Sequence, residues 1–135
     1  MERGEIVSRV AVFGVLIRGE SVLLGKRAAT RAYYPGVWDF PGGHVEAGET
    51  TKETLVRELG EELGIVPVRF EPLPSNSLII EGLRLHGYLV KQWTGTPSNL
   101  QEDEHSGIAW IRISKVDKLE LASPMIPELL QVVRR

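Results

Sequence analysis

The first forty residues carry short apolar runs of the kind that form β-strands. The runs Ser8–Ile17 and Ser21–Leu24 are separated by Arg-Gly-Glu, a pattern that predicts a β-hairpin. Segment 27–37 contains a Pro-Gly pair and predicts a loop. The apolar segment 37–40 after it predicts a short strand that leads into Pro-Gly-Gly. This part of the chain is therefore expected to build a sheet.

Over Thr50–Leu63 the apolar period changes to that of an α-helix. The apolar positions share one arc of about 100°, which we expect to pack on the sheet: Leu55, Val56, Leu59 and Leu63. Gly64 stands where a C-cap glycine ends a helix, and Pro67 prevents continuation of the helix beyond it.

The second half of the chain predicts strands followed by a helix. The predicted elements are one long or two short strands over Ser77–Trp93, a polar loop over 94–107, a strand over 108–113, a helical turn over 114–119 and a helix over 123–135. Ser123 suits the N-cap of this last helix because Pro124 follows at the first helical position. Strands and helices intermix without a regular β-α-β alternation. The predicted fold class is therefore α/β (α+β), an α/β/α sandwich around a mixed β-sheet, in a single domain over 1–135.

Composition excludes several classes of function. The chain has 135 residues, a net charge of −2 and a pI of about 5.9, so we expect neither a nucleic acid polymer nor an anionic membrane as a partner. The absence of cysteine excludes disulfides, thiolate metal sites and a cysteine nucleophile. It also fits a reducing cytosol, so a cytoplasmic location is expected. The apolar run Val10–Ile17 is too short to span a bilayer.

Three glutamates lie close together on the predicted helix. Glu58, Glu61 and Glu62 occupy an arc that borders the leucine arc, and like charges at this spacing repel one another. One interpretation is a solvated acidic face. The other is a site for a hard divalent cation, because carboxylate oxygens are suited to Mg²⁺ or Mn²⁺ and magnesium readily shares its coordination with substrate phosphates. The second interpretation predicts metal-assisted phosphate chemistry.

The surrounding residues favour the metal site. Gly43, Glu49 and the segment Arg57-Glu58-Leu59-Gly60-Glu61-Glu62-Leu63-Gly64-Ile65 resemble the Nudix box at every defined position over 43–65. The flanking sequence Trp-Asp-Phe-Pro-Gly-Gly resembles MutT-like members of that family. The resemblance implies a Nudix fold and a hydrolase of diphosphate bonds with Mg²⁺ as cofactor, for which Mn²⁺ could substitute.

The resemblance also implies roles within and next to the box. Glu58, Glu61 and Glu62 would be metal ligands, with the carbonyl oxygen of Gly42 as a further ligand. Arg57 and Glu49 would pair and orient the ligands, although a plain surface salt bridge is the alternative. Glu58 and Glu61 would thereby be catalytic as well. Replacing Glu61 with Gln is expected to raise the stability of the metal-free protein and to reduce turnover by orders of magnitude.

Residues outside the box are implied by weaker similarities. Glu104 matches a loop carboxylate that binds metal or acts as the general base, with Glu102 as its rival and a solvated acidic run as the alternative. Arg27 resembles a substrate-binding cation, although it could be an ordinary edge-strand charge. Phe40 could pack against a base or belong to the core, and Ser123 could contact a base or only cap a helix. We assign no catalytic role to the histidines: His44, His86 and His105.

The expected substrate is a small-molecule nucleotide, and the expected reaction converts a (deoxy)nucleoside triphosphate, including an oxidised one, to the monophosphate and pyrophosphate. Family signatures for ADP-ribose and dinucleoside polyphosphates are missing, because Glu81 and Gly82 occupy the positions of the diagnostic proline and tyrosine. These substrates remain alternatives, as do a nucleotide-sensing module without catalysis and an isoprenoid diphosphate isomerase. The pattern is compatible with a monomer or a homodimer.

Overall fold

The strands and helices follow one another in an irregular order. The computed structural model describes residues 9–31, 35–80 and 82–133, with the backbone alone over 75–80. The elements are β1 (Arg9–Arg18), β2 (Ser21–Arg27), β3 (Trp38–Asp39), β4 (Gly42–His44), α1 (Thr51–Leu63), β5 (Val66–Ile80), β6 (Leu83–Thr94), β7 (His105–Arg112), a 3₁₀-helix (Ile113–Lys118) and α2 (Met125–Val133). No helix in the described ranges is long and apolar enough to cross a membrane.

The strand β1 is the centre of a mixed sheet. It pairs in parallel with β6 from Arg9 opposite Leu83 to Leu16 opposite Val90, and its other edge pairs antiparallel with β4. Strand β5 lies antiparallel to β6. The far end of β1 turns through Gly19, which has a φ of +60°, into β2. Strand β2 in turn pairs with β3 and β7. The predicted hairpin and the predicted mixed sheet are confirmed.

Helices cover the sheet on both faces. Side chains alternate across a strand, so Val12 and Leu16 of β1 face α1 whereas Val15 faces α2. The α1 side holds Leu55, Leu59 and Leu63 in its core, all buried, and the α2 side holds Ile126 and Leu130. This arrangement confirms the predicted α/β/α sandwich, and it brings the polar edge of α1 close to β4.

The ends of α1 agree with the sequence. Thr50 is the N-cap: its Oγ1 accepts a hydrogen bond from the N–H of Glu53 at 3.1 Å, and the Glu53 carboxylate accepts from the N–H of Thr50 at 2.8 Å. This reciprocal capping box satisfies two donors that the helix leaves free. Gly64 ends the helix with a φ of +72°, a conformation that glycine adopts without strain. The glutamates of the helix are therefore held in a fixed register.

The structure differs from the sequence prediction at three places. Strand β5 starts at Val66, directly after α1, where only a helix stop was expected. Its register against β6 shifts near Pro67 and Pro72, and prolines weaken a strand pattern although an edge strand tolerates them. Strand β7 begins at His105 rather than at residue 108. Val56 is 39% exposed and is not part of the leucine core.

Parts of four predicted elements lie outside the described residues. These parts are Ser8 of the first strand, residues 32–34 of the first loop, Glu81 of the strand or strands predicted over Ser77–Trp93 and residues 134–135 of the last helix. Glu81 also occupies the position that was used against ADP-ribose.

Candidate active site

Glu62 is a buried carboxylate at the contact between α1 and β4. Its residue is 2% exposed, and its Oε2 accepts a hydrogen bond from the N–H of Gly42 at 3.2 Å. Gly42 must be glycine here, because a Cβ atom would overlap the carbonyl oxygen of Val12 on the paired strand. The close approach of β1, β4 and α1 therefore delivers a backbone donor to Glu62.

Glu58 lies one turn earlier on the same side of α1. Its carboxylate rests against the Cα of Gly43, so any side chain at position 43 would overlap it. The two glycines of β4 thus make room for two carboxyl groups between helix and strand. Burial raises the pKa of the Glu58 carboxyl above its ordinary value, and the positive charge of Arg57 opposes that rise.

The pKa of Glu62 is raised further, to about 9. Burial is the largest cause, followed by the hydrogen bond and negative charge of Glu58 and by the charge of Glu104. The hydrogen bond from Gly42 acts in the opposite direction. The Glu58–Glu62 pair therefore retains a proton at neutral pH when no cation is bound.

Arg57 is the hub of the charged network beside this pair. Its Nε donates to Glu49 Oε2 at 2.6 Å and its Nη2 donates to Glu49 Oε1 at 3.0 Å. Nη2 also donates to the carbonyl oxygen of His44 at 3.0 Å. Nη1 donates to Glu58 Oε2 at 3.0 Å and to Glu61 Oε1 at 3.2 Å. The bidentate contact is stronger and more specific than a plain surface salt bridge.

Glu49 is held on its other side as well. Its Oε1 accepts from Thr54 Oγ1 at 2.8 Å and from the N–H of Glu46 at 3.0 Å. The hydrogen bonds from Arg57, followed by the one from Glu46, lower the pKa of Glu49 to about 2. Glu49 is therefore ionised throughout the neutral range, and the same contact raises the pKa of Arg57.

Glu61 occupies a different environment from its two neighbours. Its side chain is 49% exposed and contacts Arg57, whereas the side chains of Glu58 and Glu62 are 15% and 2% exposed. The three carboxylates do not converge as expected from the helix, and the repulsion is concentrated on Glu58 and Glu62. The structure therefore gives Glu61→Gln less charge repulsion to relieve than Glu62→Gln, and its effect on the stability of the metal-free protein stays a prediction.

A loop from β6 to β7 brings Glu104 to the other side of Glu62. The N–H groups of Ser98 and Leu100 donate to the carbonyl oxygens of Leu63 and Glu62, each at 3.0 Å, and so fasten the loop to the end of α1. Glu104 lies 73 residues from Arg31 in sequence, and its Oε1 accepts from Arg31 Nη1 at 3.0 Å. The sequence predicted Glu104 at the site but gave no indication of Arg31.

His105 is a second neighbour that the sequence missed. Its Nε2 lies 3.7 Å from Glu62 Oε1, its side chain is 13% exposed, and its imidazole ring packs against the Cα of Gly25. Burial lowers the pKa of His105, so the ring is neutral at neutral pH. The adjacent Glu104 was the only sequence signal that could have indicated it.

Comparisons with known proteins agree with this geometry. The NUDIX domain family matches residues 7–132 of the chain. The chain belongs to the Nudix family. It is 35% identical over 120 residues to the CTP pyrophosphohydrolase of Escherichia coli K12, and the match covers 87% of this chain and 86% of that protein. It is 30% identical over 118 residues to the 8-oxo-dGTP diphosphatase of the same organism, with 84% and 91% covered.

Solved structures of other proteins share the fold. The solution structure of the E. coli ORF135 protein has a TM-score of 0.78 at 29% identity and covers 99% of this chain and 94% of that chain. A MutT structure from work on Aliivibrio salmonicida and Vibrio cholerae also has a TM-score of 0.78, at 26% identity, with 93% and 97% covered. The assignment to the Nudix hydrolases and the predicted fold class are both confirmed.

Nudix enzymes generally use divalent metal ions, and the residues present fit such an ion. Among the described residues, no three histidine, aspartate or glutamate side chains are already gathered as a metal site. The fit rests on the donors: Glu58 and Glu62 offer only oxygen atoms, their side chains are 15% and 2% exposed, and Arg57 meets only part of their charge. A hard divalent cation matches this donor set and could replace the proton that the pair retains.

The predicted substrate residues lie in different parts of the fold. Arg27 ends β2, and its positive charge acts on Asp39, whose pKa burial raises to about 6. Phe40 is 8% exposed, stacks on Phe13 with ring centroids 5.2 Å apart, and belongs to the core beneath α2. This environment favours the core alternative for Phe40.

Ser123 has a capping contact at the start of α2. Its Oγ accepts a hydrogen bond from the N–H of Met125 at 3.1 Å. The preceding residues run beside β3, where the N–H of Ala122 donates to the carbonyl oxygen of Trp38 at 2.9 Å. The geometry accounts for Ser123 as a helix cap, and contact with a base stays a prediction.

Proposed function

We propose that this Nudix hydrolase is a Mg²⁺-dependent pyrophosphohydrolase of (deoxy)nucleoside triphosphates, including oxidised ones, that releases the monophosphate and pyrophosphate. The observation that carries the proposal is the pairing of buried Glu62 with partly buried Glu58 against two glycines within a complete Nudix box. Relatives named CTP pyrophosphohydrolase and 8-oxo-dGTP diphosphatase support a triphosphate substrate. Manganese is expected to substitute for magnesium because it prefers similar oxygen ligands.

The glutamates of α1 have separate tasks in this proposal. Glu58, Glu61 and Glu62, with the Gly42 carbonyl oxygen, would hold the divalent ions. When bound, these ions neutralise phosphate charge and make water a stronger nucleophile. Arg57 aligns Glu58 through Nη1, while its bidentate contact with Glu49 fixes the guanidinium plane. Arg57 and Glu49 would thus act by positioning the ligands.

Glu104 is the proposed general base. It would accept a proton from the water that attacks a phosphorus atom of the diphosphate link. Its charge already acts on Glu62, which supports a location beside the metal ligands. Glu102, the rival base, is exposed to solvent.

The substrate would lie between the carboxylates and the cations of β2 and the loop after it. Arg27 is proposed to contact a phosphate, since the acidic chain needs local positive charge to attract a polyphosphate. Phe40 and Ser123 remain candidates for contact with the base. All these residues come from one chain, so the proposal is compatible with a monomer or a homodimer. A cytoplasmic location, where nucleoside triphosphates are available, stays part of the proposal.

A substrate panel tests the proposal directly. Canonical and oxidised nucleoside triphosphates, ADP-ribose, diadenosine polyphosphates and an isoprenoid diphosphate are incubated with and without Mg²⁺, and the products are resolved. We expect Mg²⁺-dependent release of monophosphate and pyrophosphate from a triphosphate. Binding without turnover would instead indicate a nucleotide sensor, and turnover of another substrate would replace the triphosphate assignment.

Glutamine variants test the assigned roles. Glu61→Gln and Glu104→Gln are each expected to lower kcat by at least about a hundredfold, because each removes a charge that acts in the reaction. Glu102→Gln is the matched control and should retain activity. An unchanged kcat in Glu61→Gln contradicts the metal-ligand assignment. A larger loss of kcat in Glu102→Gln than in Glu104→Gln would make Glu102 the general base.

A further inference from the structure

Arg31 is attached to the candidate base by contacts at both ends of the residue. Its N–H donates to the carbonyl oxygen of Ala28 at 3.0 Å, and the N–H of Ala28 donates to the carbonyl oxygen of Glu104 at 2.8 Å. The Arg31 guanidinium then closes the ring by donating from Nη1 to Glu104 Oε1 at 3.0 Å. The turn after β2 and the loop before β7 are therefore joined at backbone and side-chain level.

The Arg31–Glu104 pair is accessible to solvent. The Arg31 side chain is 31% exposed and that of Glu104 is 43% exposed, so a ligand in solution can reach the pair. Arg31 and Arg27 both help to lower the pKa of His105, which contacts Glu62. Both arginines are therefore close enough for their charge to act on the ring beside Glu62.

The Arg31–Glu104 pair can be exchanged for a stronger contact. An ion pair with this exposure contributes at most about 1 kcal/mol. A guanidinium has five N–H donors in a planar fork and binds phosphate oxygens in a bidentate manner. Exchange of partners would free Glu104 to accept a proton and would leave Arg31 to neutralise a phosphate. One exchange of partners would thus make Glu104 available as a base and Arg31 available to a phosphate.

We propose that Arg31 is a substrate-binding residue for the terminal phosphate of a nucleoside triphosphate and is held ready by Glu104 in the free enzyme. The inference rests on the proposed function. In the proposed function the carboxylates of α1 would hold cations at the cleaved link, so the terminal phosphate would need a further positive group from the chain. Arg31 distinguishes a triphosphate from a diphosphate because only the triphosphate carries that group.

Equilibrium binding separates this role from an indirect effect on Glu104. Affinities for the α,β-methylene analogues of CTP and CDP are measured by calorimetry with Mg²⁺ for the wild-type chain, Arg31→Ala, Arg31→Lys and Arg112→Ala. Arg112 is a matched control because it pairs with Glu20, at the other end of β7, across 4.0 Å. Thermal unfolding of each variant establishes that it is folded.

Arg31→Ala is expected to weaken binding of the triphosphate analogue by about ten- to a hundredfold, the loss typical of a charge-assisted hydrogen bond. Binding of the diphosphate analogue should change by less than about threefold, because no contact with it is removed. Arg31→Lys should recover part of the triphosphate affinity, and Arg112→Ala should leave both affinities unchanged. Equal losses for both analogues, or none, would overturn the inference.

The outcome also separates this inference from the proposed function. If the wild-type chain hydrolyses triphosphates and Arg31→Ala keeps the wild-type preference between the two analogues, only the role of Arg31 is refuted. A chain that hydrolyses no triphosphate but loses triphosphate preference in Arg31→Ala supports the binding role and refutes the proposed reaction.

Discussion

Glu62→Gln should stabilise the metal-free protein at neutral pH. In the folded chain the Glu62 carboxyl is 2% exposed and lies beside the carboxyl of Glu58. An ionised group at this position is unfavourable, whereas a neutral amide of similar size is not. A glutamine oxygen can still accept the hydrogen bond from Gly42, and its NH₂ group can donate to Glu58 or His105.

The magnitude follows from the pKa of Glu62, which folding raises from 4.5 to about 9. Below about pH 4.5 the carboxyl is protonated in both the folded and the unfolded chain, so its favourable contribution to folding is fully present. As the pH rises towards about 9, the unfolded chain ionises first and stability falls by about 1.36 kcal/mol per pH unit. At pH 7 the loss is about 3 kcal/mol, which corresponds to about 10 °C in Tm for a domain of this size.

Thermal unfolding in EDTA at pH 5, 6, 7 and 8 measures this effect. The Tm difference between Glu62→Gln and the wild-type chain should be small at pH 5 and should grow with pH. Glu102→Gln removes the same charge from an exposed side chain and should show no such growth. With Mg²⁺ the wild-type Tm should rise towards that of the variant, because binding stabilises the folded state. A Tm difference that does not vary with pH, or a less stable variant at pH 8, would refute the assignment of strain to Glu62.

Two further substitutions test the surroundings of the acidic pair and the base. Gly43→Ala places a methyl group on the Glu58 carboxylate, so we expect a higher Mg²⁺ requirement and a lower kcat with retained helix content. If the activity of the variant depends on Mg²⁺ concentration as that of the wild-type chain does, the close packing is contradicted. Ser123→Ala removes the acceptor for the Met125 N–H and should lower the free energy of unfolding by about 1 kcal/mol in denaturant titrations. An altered ratio of kcat/KM between cytidine and oxidised guanosine triphosphates would show that Ser123 also contacts the base.

Local sequence signals predicted α1 and the positions of Glu58, Glu61 and Glu62 on it. The glycine at position 64 and the spacing of the leucines are short-range features, so the sequence alone defines the helix and its register. The contact of Arg57 with Glu49 was inferred only through the family resemblance. The structure supplies its geometry, a bidentate pair at 2.6 and 3.0 Å.

Contacts between distant segments were not predictable in this way. Arg31 meets Glu104 because β2 and β7 pair through seven positions, and His105 reaches Glu62 because it lies opposite Arg27 at the end of that pairing. No periodicity within a single segment encodes this register. The part of strand β5 before Ser77 was missed for another reason, since its prolines weaken the β pattern and its pairing with β6 shifts repeatedly.

The distribution of charge on α1 explains why one glutamate is strained and another is not. Residues four apart on a helix are neighbours, so Arg57 stands next to Glu61 in one row and Glu58 stands next to Glu62 in the adjacent row. The first row is neutralised within the chain by the contact from Arg57 to Glu61 at 3.2 Å. The second row joins two carboxyls, and only part of its charge is met by Arg57 through Glu58. A proton or a metal ion must supply the rest. We therefore expect Glu61→Gln to lose an ion pair and to give no gain in Tm without metal, in contrast to Glu62→Gln. A comparable gain in Tm in both variants would show that the charge repulsion extends over both rows.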